Sequence, residues 1–424
     1  MRVSIHTLGT RGDVQPYLAL ALGLQVAGHE VLLAAPSQFE AFVGSRGIRF
    51  AHLPGEFLDL METPEAKAAM SGSGGFAAGF ALIKHFKPIG RKELTQEWSA
   101  AKQFRPELII YHPKAIAAPH IAERLGCPGV LASPLPGFTP TREFASPLVP
   151  FKSLGPLNRV THSLMAGSGE AIFRGMVAEW RVSELGLKSR PVRPLRPVAT
   201  LYAYSPHVLP VPRDWPESVD VTGYWFLDDD QDWGPDAAFS AFLGAREAPV
   251  YVGFGSMPGL DPEAMTKVIV EALARVRKRG VLATGGGAIG GRDTSSGHVH
   301  FIEGAPHDKL LPLMAACVHH GGAGSTAASL RAGKPTVICP FFGDQLFWGR
   351  RVEELGVGPA PIDKKQLTVE ELAAAISTAT SDLTIARRAK ALGADIAAED
   401  GVGRAIAFLQ QRGLLPQARA AASA

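Results

Sequence analysis

The sequence predicts an α/β protein built from two Rossmann-like, doubly wound parallel-sheet domains that face each other across a cleft. Three observations carry this expectation. Short β-branched runs alternate with helix-length segments, the rhythm of repeated βα units. Several runs are apolar throughout instead of alternating, as strands covered on both faces of a parallel sheet must be. The rhythm breaks once and restarts, and 424 residues are more than one ordinary core holds.

In the first half, strands are expected over 3–8, 30–34, 48–53, 108–111, 130–132, 198–202 and 219–222. Helices read as 18–27, stopped by Gly28, and 121–125, stopped by Gly126. Glycine suits these places because it takes the left-handed turn past a helix end. Repeated prolines between 190 and 216 rule out a long helix there. Leu227-Asp228-Asp229-Asp230-Gln231-Asp232 then reads as an acidic, solvated linker. Strands resume over 250–254, 281–284, 299–302, 317–319 and 336–339. The expected division is a first domain over 1–226, a linker over 227–247 and a second domain over 248–400. A C-terminal helix and tail over 401–424 is placed to pack back on the first domain. Residues 415–424 are alanine-rich and read as frayed.

Composition narrows the class. The apolar fraction is 46% and the charged fraction 20%, ordinary for a globular protein. The net charge of +3 is too mild to predict nucleic-acid binding, and no dense basic stripe with interleaved aromatics is present. Cys127, Cys317 and Cys339 are few, odd in number and far apart. They fit neither a disulfide framework nor a zinc site, and a reducing cytoplasm is the expectation. The N-terminus reads as a strand rather than a secretory signal, and no apolar stretch is long enough to span a bilayer.

Two glycine-rich βα junctions stand out. The first is GTRGDVQP, where an apolar run meets Gly9-Thr10-Arg11-Gly12-Asp13 and a second apolar run begins at Pro16. Strand, glycine turn and helix outline a phosphate site, yet Asp13 brings a negative charge. Read locally, Asp13 is an N-cap for the helix running through Pro16. The second junction is HHGGAGSTAASLRAG. Its glycines let the backbone approach a ligand, and a helix opening at Ser325 or Thr326 and stopping at Gly333 would aim free amides at an anion. His320 would add a donor or a positive charge. The competing reading is a tight βα turn with Ser325 as a plain cap. Further on, Cys339-Pro340-Phe341-Phe342-Gly343-Asp344-Gln345 is another strand end meeting a helix start. Asp344 there is either an N-cap or, with Gln345, a hydroxyl-binding pair at the sheet edge where ligands sit.

Together these residues resemble the donor signature of the inverting family 1 glycosyltransferases, which have the GT-B fold. HHGGAGSTAASLRAGKPTVICPFFGDQLFWGRRVEELGVG is similar to the bacterial and fungal branch of sterol glucosyltransferases and antibiotic glycosyltransferases. Asp214-Trp215-Pro216, Val221-Thr222-Gly223-Tyr224-Trp225-Phe226-Leu227 and Pro306-His307-Asp308 point to its sterol glucosyltransferase-like side. GTRGDVQP resembles the same family's N-terminal motif. The likeness is weakest over 57–92 and 139–180.

The resemblance implies roles. His320 and Ser325, with Gly322, Gly324 and Thr326, would meet the donor diphosphate, Asp344 and Gln345 the sugar. Gly255 and Ser256 would face the phosphates, Ala305 and His307 the nucleobase, and Gly12 would border the donor. Where plant members carry a Trp, this chain has Gly304, so a UDP-sugar is favoured and a TDP-sugar stays open. Asp13 becomes the base that takes a proton from the acceptor hydroxyl. An apolar acceptor beside it would raise its pKa. His6 lies inside the strand and reads as a core histidine. The implied enzyme is a hexosyltransferase that moves glucose from UDP-glucose to a sterol, polyketide, flavonoid or lipid hydroxyl, giving a β-glycoside. The other readings are a GT-B-fold sugar-nucleotide epimerase and a non-catalytic sugar-nucleotide or lipid-binding protein.

No metal and no cofactor beyond the nucleotide sugar is expected. Asp228-Asp229-Asp230 matches DxD but sits in the linker, and Gly285-Gly286-Gly287-Ala288-Ile289-Gly290 matches GxGxxG without the helix that dinucleotide binding needs. For the acceptor, Met61, Met70, Phe76, Phe80 and Phe86 precede the fourth strand. Phe138, Met165, Phe173, Met176 and Trp180 follow the fifth. Adaptable and flat apolar side chains suit a ring-shaped ligand, and they equally suit an ordinary core. Lys84, Lys87, Arg91 and Lys92 read as a solvated helix face or a peripheral contact with an anionic membrane.

Overall fold

The computed structural model describes residues 1–56, 75–228, 233–245, 247–255, 257, 261–290 and 297–417, with the side chains of 75–87, 167–172 and 365 left out. The described chain forms two parallel sheets. The first runs β1 (Arg2–His6), α1 (Arg11–Val26), β2 (Glu30–Pro36), α2 (Glu40–Gly44), β3 (Arg49–Leu53), α3 (Gly75–Phe104) and β4 (Leu108–Tyr111). It continues through α4 (Ala118–Leu125), β5 (Gly129–Ser133), α5 (Asn158–Ser183), β6 (Ala199–Tyr202) and β7 (Val219–Val221). The second holds α6 (Ala237–Gly244), β8 (Val250–Gly253), α7 (Pro262–Arg275), β9 (Gly280–Ala283), β10 (Val299–Ile302), α8 (His307–Leu310) and β11 (Ala316–His319). It is followed by α9 (Ala323–Arg331), β12 (Thr336–Ile338), α10 (Gln345–Glu354), α11 (Val369–Ser381), α12 (Leu383–Ala397) and α13 (Gly401–Gln411).

The sheet orders are β3-β2-β1-β4-β5-β6-β7 and β10-β9-β8-β11-β12. Each order reverses once, between β1 and β4 and between β8 and β11. The connections on either side of a reversal leave in opposite directions and open a crevice at the carboxyl edge of the strands. Register makes the pairing explicit: His6 lies opposite Tyr111, and Gly253 opposite His319. The loops after paired strand ends are therefore neighbours in space, however far apart they stand along the chain.

Both sheets bury both faces. Val3 and Ile5 on β1, Leu18, Leu20 and Leu24 on α1, and Leu108 and Ile110 on β4 share one core. Burying each such leucine is worth about 1.5–3 kcal/mol. The C-terminal helix α13 joins that core through Ala405 and Leu409. It crosses α1 so closely that a Cβ on Gly23 would sit 2.3 Å from a Val402 methyl. Leu415, expected to be frayed, is 3% exposed, because its side chain completes the same apolar cluster.

Helix starts differ from the sequence reading. α1 opens at Arg11, so Gly12 and Asp13 lie in its first turn rather than in a loop. α9 opens at Ala323, with Gly322 as N-cap, ahead of Ser325. In both places the first turn is glycine-rich and polar, so apolar periodicity begins only after the helix has started. Asp228 is likewise not a merely solvated linker residue: it makes a two-pronged ion pair with Arg331. Among the described residues, no helix is long and apolar enough to cross a membrane.

Candidate active site

Asp13 sits where β1 and β4 diverge. Thr10 caps α1, and the Asp13 carboxylate folds back to accept the Thr10 amide at 2.9 Å, the reciprocal arrangement of a capping box. Gly9, at φ +127°, makes room: a Cβ there would lie 2.1 Å from Asp13 Oδ2. The neighbouring strand end supplies two further partners. Lys114 Nζ donates to Oδ2 at 3.0 Å, and His112 Nε2 stands 3.4 Å from Oδ1. The Lys114 amide donates to His112 Nδ1, which puts the imidazole proton on Nε2, facing Asp13. The Tyr17 ring meets His112 edge-on at 5.7 Å.

These contacts set the charge. Burial pushes the Asp13 carboxyl up, but Lys114, His112 and the bonded Thr10 amide outweigh it and hold the group below its ordinary value. Burial takes His112 down to about 3, so at neutral pH it offers a donor and no charge. Lys114 is the cation that matters there. His112 and Lys114 were missed in the sequence. The one available signal was their position directly after the apolar strand 108–111, which becomes informative only when β4 is known to flank β1.

The second crevice has the makings of an anion site. No side chain caps the N-terminus of α9, so its first amides are unclaimed by the cap residue. His320 Nδ1 and Thr326 Oγ1 are buried there without a protein partner. Gly322 has an ordinary φ of −60°, yet a Cβ on it would come within 2.5 Å of His320 Nε2. Gly255, at φ +58°, brings its backbone to the same imidazole. Ser325 is half-buried and Gly324 exposed in the first turn of α9. Burial lowers His320 to about 4, and His307 adds to this, so at neutral pH it offers a hydrogen bond and not the positive charge expected as an option. His319 is structural: Nδ1 accepts the Gly321 amide and Nε2 bonds Ser329 Oγ.

Asp344 occupies the N-cap position of α10 but makes no capping bond. Its carboxylate accepts Trp348 Nε1 at 2.8 Å. Burial raises its pKa, and the negative charge of Asp13 across the cleft adds to the rise. Gln345 is 4% exposed, and its side-chain oxygen already accepts the Phe341 and Phe342 amides. His307 opens α8, its ring edge-on to Tyr251, and burial together with the charge of Arg11 lowers its pKa. The structure thus sets Asp13 within electrostatic reach of Asp344, and brings Gly255 and Gly322 against His320. Arg11, two residues before Asp13, bonds Gln15 and lies over the Phe42 ring. Ala305 packs partly buried on the second domain's outer cluster. Gly12 is exposed in the first turn of α1.

Met61, Met70 and Ser256 lie outside the described residues, and the side chains of Phe76, Phe80, Lys84, Phe86 and Lys87 are not among those described. Phe173 and Met176 pack on α3 at Gly90, where a Cβ would lie 2.9 Å from Met176 Cε. Trp180 is fully buried in the core. Phe138 packs partly buried on the same core cluster. Arg91 and Lys92, read as a solvated helix face or a membrane contact, are ion-paired to Glu184 and Glu56. Among the described residues, no group of three or more His, Cys, Asp or Glu side chains is placed to hold a metal ion.

Residues 3–143 match the family model described as glycosyltransferase family 28 N-terminal domain. Residues 268–403 match the erythromycin biosynthesis protein CIII-like C-terminal domain. The chain is 39% identical, over 96% of its length, to a sterol 3-beta-glucosyltransferase of Emericella nidulans. It is 36% identical, over 99% of its length, to the sterol 3-beta-glucosyltransferase UGT80A2 of Arabidopsis thaliana. The chain belongs to the family 1 glycosyltransferases of the GT-B fold. This GT-B chain spans 29% of the length of the Emericella relative and 66% of the Arabidopsis one. Among solved structures, the glycotransferase of kitacinnamycin superposes with a TM-score of 0.73 at 21% identity, covering 97% of this chain and 98% of that one. The Streptomyces glycosyltransferase SsfS6, crystallised with thymidine diphosphate, superposes at 0.64 with 19% identity, covering 97% and 99%. These two share the fold.

Proposed function

We propose that this GT-B chain is an inverting hexosyltransferase that moves glucose from UDP-glucose to a hydroxyl of an apolar acceptor. The observation that carries the reading is the juxtaposition of two unlike crevices: an ionised, lysine-paired Asp13 on one wall, and a glycine-lined helix N-terminus with orphaned polar groups on the other. Asp13 takes the proton of the acceptor hydroxyl while that oxygen attacks the anomeric carbon. The bond from that carbon to the diphosphate breaks, and the diphosphate leaves with the electron pair. Attack from the face opposite the leaving group inverts the centre and gives a β-glycoside. Amides at the start of α9, Ser325 and neutral His320 stabilise the leaving charge, a preorganised electrostatic role that needs no metal ion.

Lys114 gives the base two states. While paired, Asp13 is firmly ionised and a weak base. Lys114 is 50% exposed and can swing away. An apolar acceptor would then desolvate the carboxylate and raise its basicity. The sterol glucosyltransferase names of the relatives support a sterol or other flat apolar alcohol. The thymidine diphosphate bound by SsfS6, which shares the fold, supports a nucleoside diphosphate as the donor's leaving group. A cytoplasmic setting is consistent with three unpaired cysteines. The reading is tested by incubating the chain with UDP-glucose or TDP-glucose and a panel of sterols, phenols and lipid alcohols. A β-glucoside detected by mass spectrometry and NMR is expected. Epimerised donor, or nucleotide binding without turnover on any acceptor, would overturn it.

A further inference from the structure

Six of the large apolar side chains that stand exposed among the described residues fall in one short stretch, Leu148, Phe151, Leu154, Leu157, Val160 and Leu164. Exposed apolar residues scattered singly need no explanation, whereas a contiguous row does. Leu157, Val160 and Leu164 are spaced three and four apart where α5 begins, which puts them on one helical face. They are 60%, 49% and 61% exposed. The opposite face is polar and buried. Asn158, Thr161 and His162 are each under 5% exposed. Asn158 Oδ1 accepts the Leu154 amide, and His162 bonds the Gly137 and Phe144 carbonyls. The start of α5 is therefore inside out, with its polar groups satisfied by protein and its apolar groups turned to solvent.

Charge selects the occupant. Arg142, Arg159 and Arg213 are exposed beside the row, while Lys152 within it is ion-paired to Glu354 of α10 at 2.6 Å. The Glu143 and Asp214 carboxylates are turned to the Arg213 and Arg142 amides. Two copies meeting through this face would set basic lobes against each other. An anionic bilayer would meet apolar side chains with its acyl boundary and basic ones with its headgroups.

We propose that the ridge 148–164 docks the first domain onto an anionic lipid surface. The ridge leads from β5 into α5 on the carboxyl edge of the first sheet, the edge that holds Asp13. Docking would set the cleft beside the bilayer. The inference is independent of the reaction and can fail without it. The test is co-sedimentation of the whole chain with vesicles of phosphatidylcholine alone and of phosphatidylcholine with phosphatidylserine, at low and high salt. Binding to the phosphatidylserine vesicles, weakened by salt, is expected. Leu157→Glu with Leu164→Glu should weaken it about tenfold or more, with an unchanged melting temperature. Arg159→Glu should weaken it at a site that carries no apolar contact. Failure of the unaltered chain to bind phosphatidylserine vesicles would overturn the inference, as would undiminished binding by the double variant. A concentration-dependent dimer lost in the double variant, without vesicle binding, would overturn it in favour of a second copy.

Discussion

The Lys114 ammonium stands 3.0 Å from the Asp13 carboxylate, brought there because β4 flanks β1 at the point where the first sheet reverses its order. Most of what the site can do turns on this pair, and it yields the first prediction. Lys114→Ala removes the main cation that opposes burial, so the Asp13 pKa should rise. Because the base acts only when ionised, the acid limb of a kcat/KM profile should move to higher pH. An acid limb that stays in place would mean that Lys114 does not govern the base.

His320 gives a second prediction of the opposite kind. Its pKa of about 4 keeps it neutral across the working range. Donor KM should therefore be flat with pH above about 5, with no inflection near the ordinary histidine value of about 6.5. An inflection there that His320→Gln removes would show that a charged imidazole holds the diphosphate.

Gly322 supplies a steric test. A Cβ would stand 2.5 Å from His320 Nε2, and the imidazole would have to leave its place. Gly322→Ala should keep the fold and weaken UDP binding about tenfold, read by calorimetry. Binding as tight as before would show that His320 takes no role in the anion site.

Arg181 carries a stability prediction. It is 1% exposed, and its guanidinium is held by Glu123 at 2.6 Å, His120 Nδ1 and the Lys188 carbonyl. Glu123→Ala leaves a buried charge without its counter-ion and should cost roughly 2–3 kcal/mol, less than for a fully buried pair because Glu123 is partly exposed. Urea denaturation measures this, and no loss would mean that water replaces the carboxylate.

Much of this was legible in the sequence. Each strand read from a continuous apolar run is a strand, because a sheet covered on both faces leaves few strand positions facing water, and the polar ones it does bury, such as Ser4 and His319, are hydrogen-bonded. The glycine stops at Gly28 and Gly126 were legible because both adopt positive φ. Helix starts at Arg11 and Ala323 were not, since the glycine and polar residues of those first turns break the apolar period that marks a helix. His112 and Lys114 carry no motif. They matter through sheet order, which joins positions far apart along the chain. The inverted face at Leu157 and Leu164 was also hidden, because helical apolar spacing does not say which side meets water.

The measurement that bears most directly on the account is the turnover and nucleotide affinity of Asp13→Asn. The amide keeps the size of the carboxylate and cannot take a proton. Transfer to the acceptor should fall about 10²–10⁴-fold while UDP binds as before, since His320 and the start of α9 lie on the other wall. Near-normal turnover in that variant would contradict the assignment of Asp13 as the base, and with it the reading of the cleft.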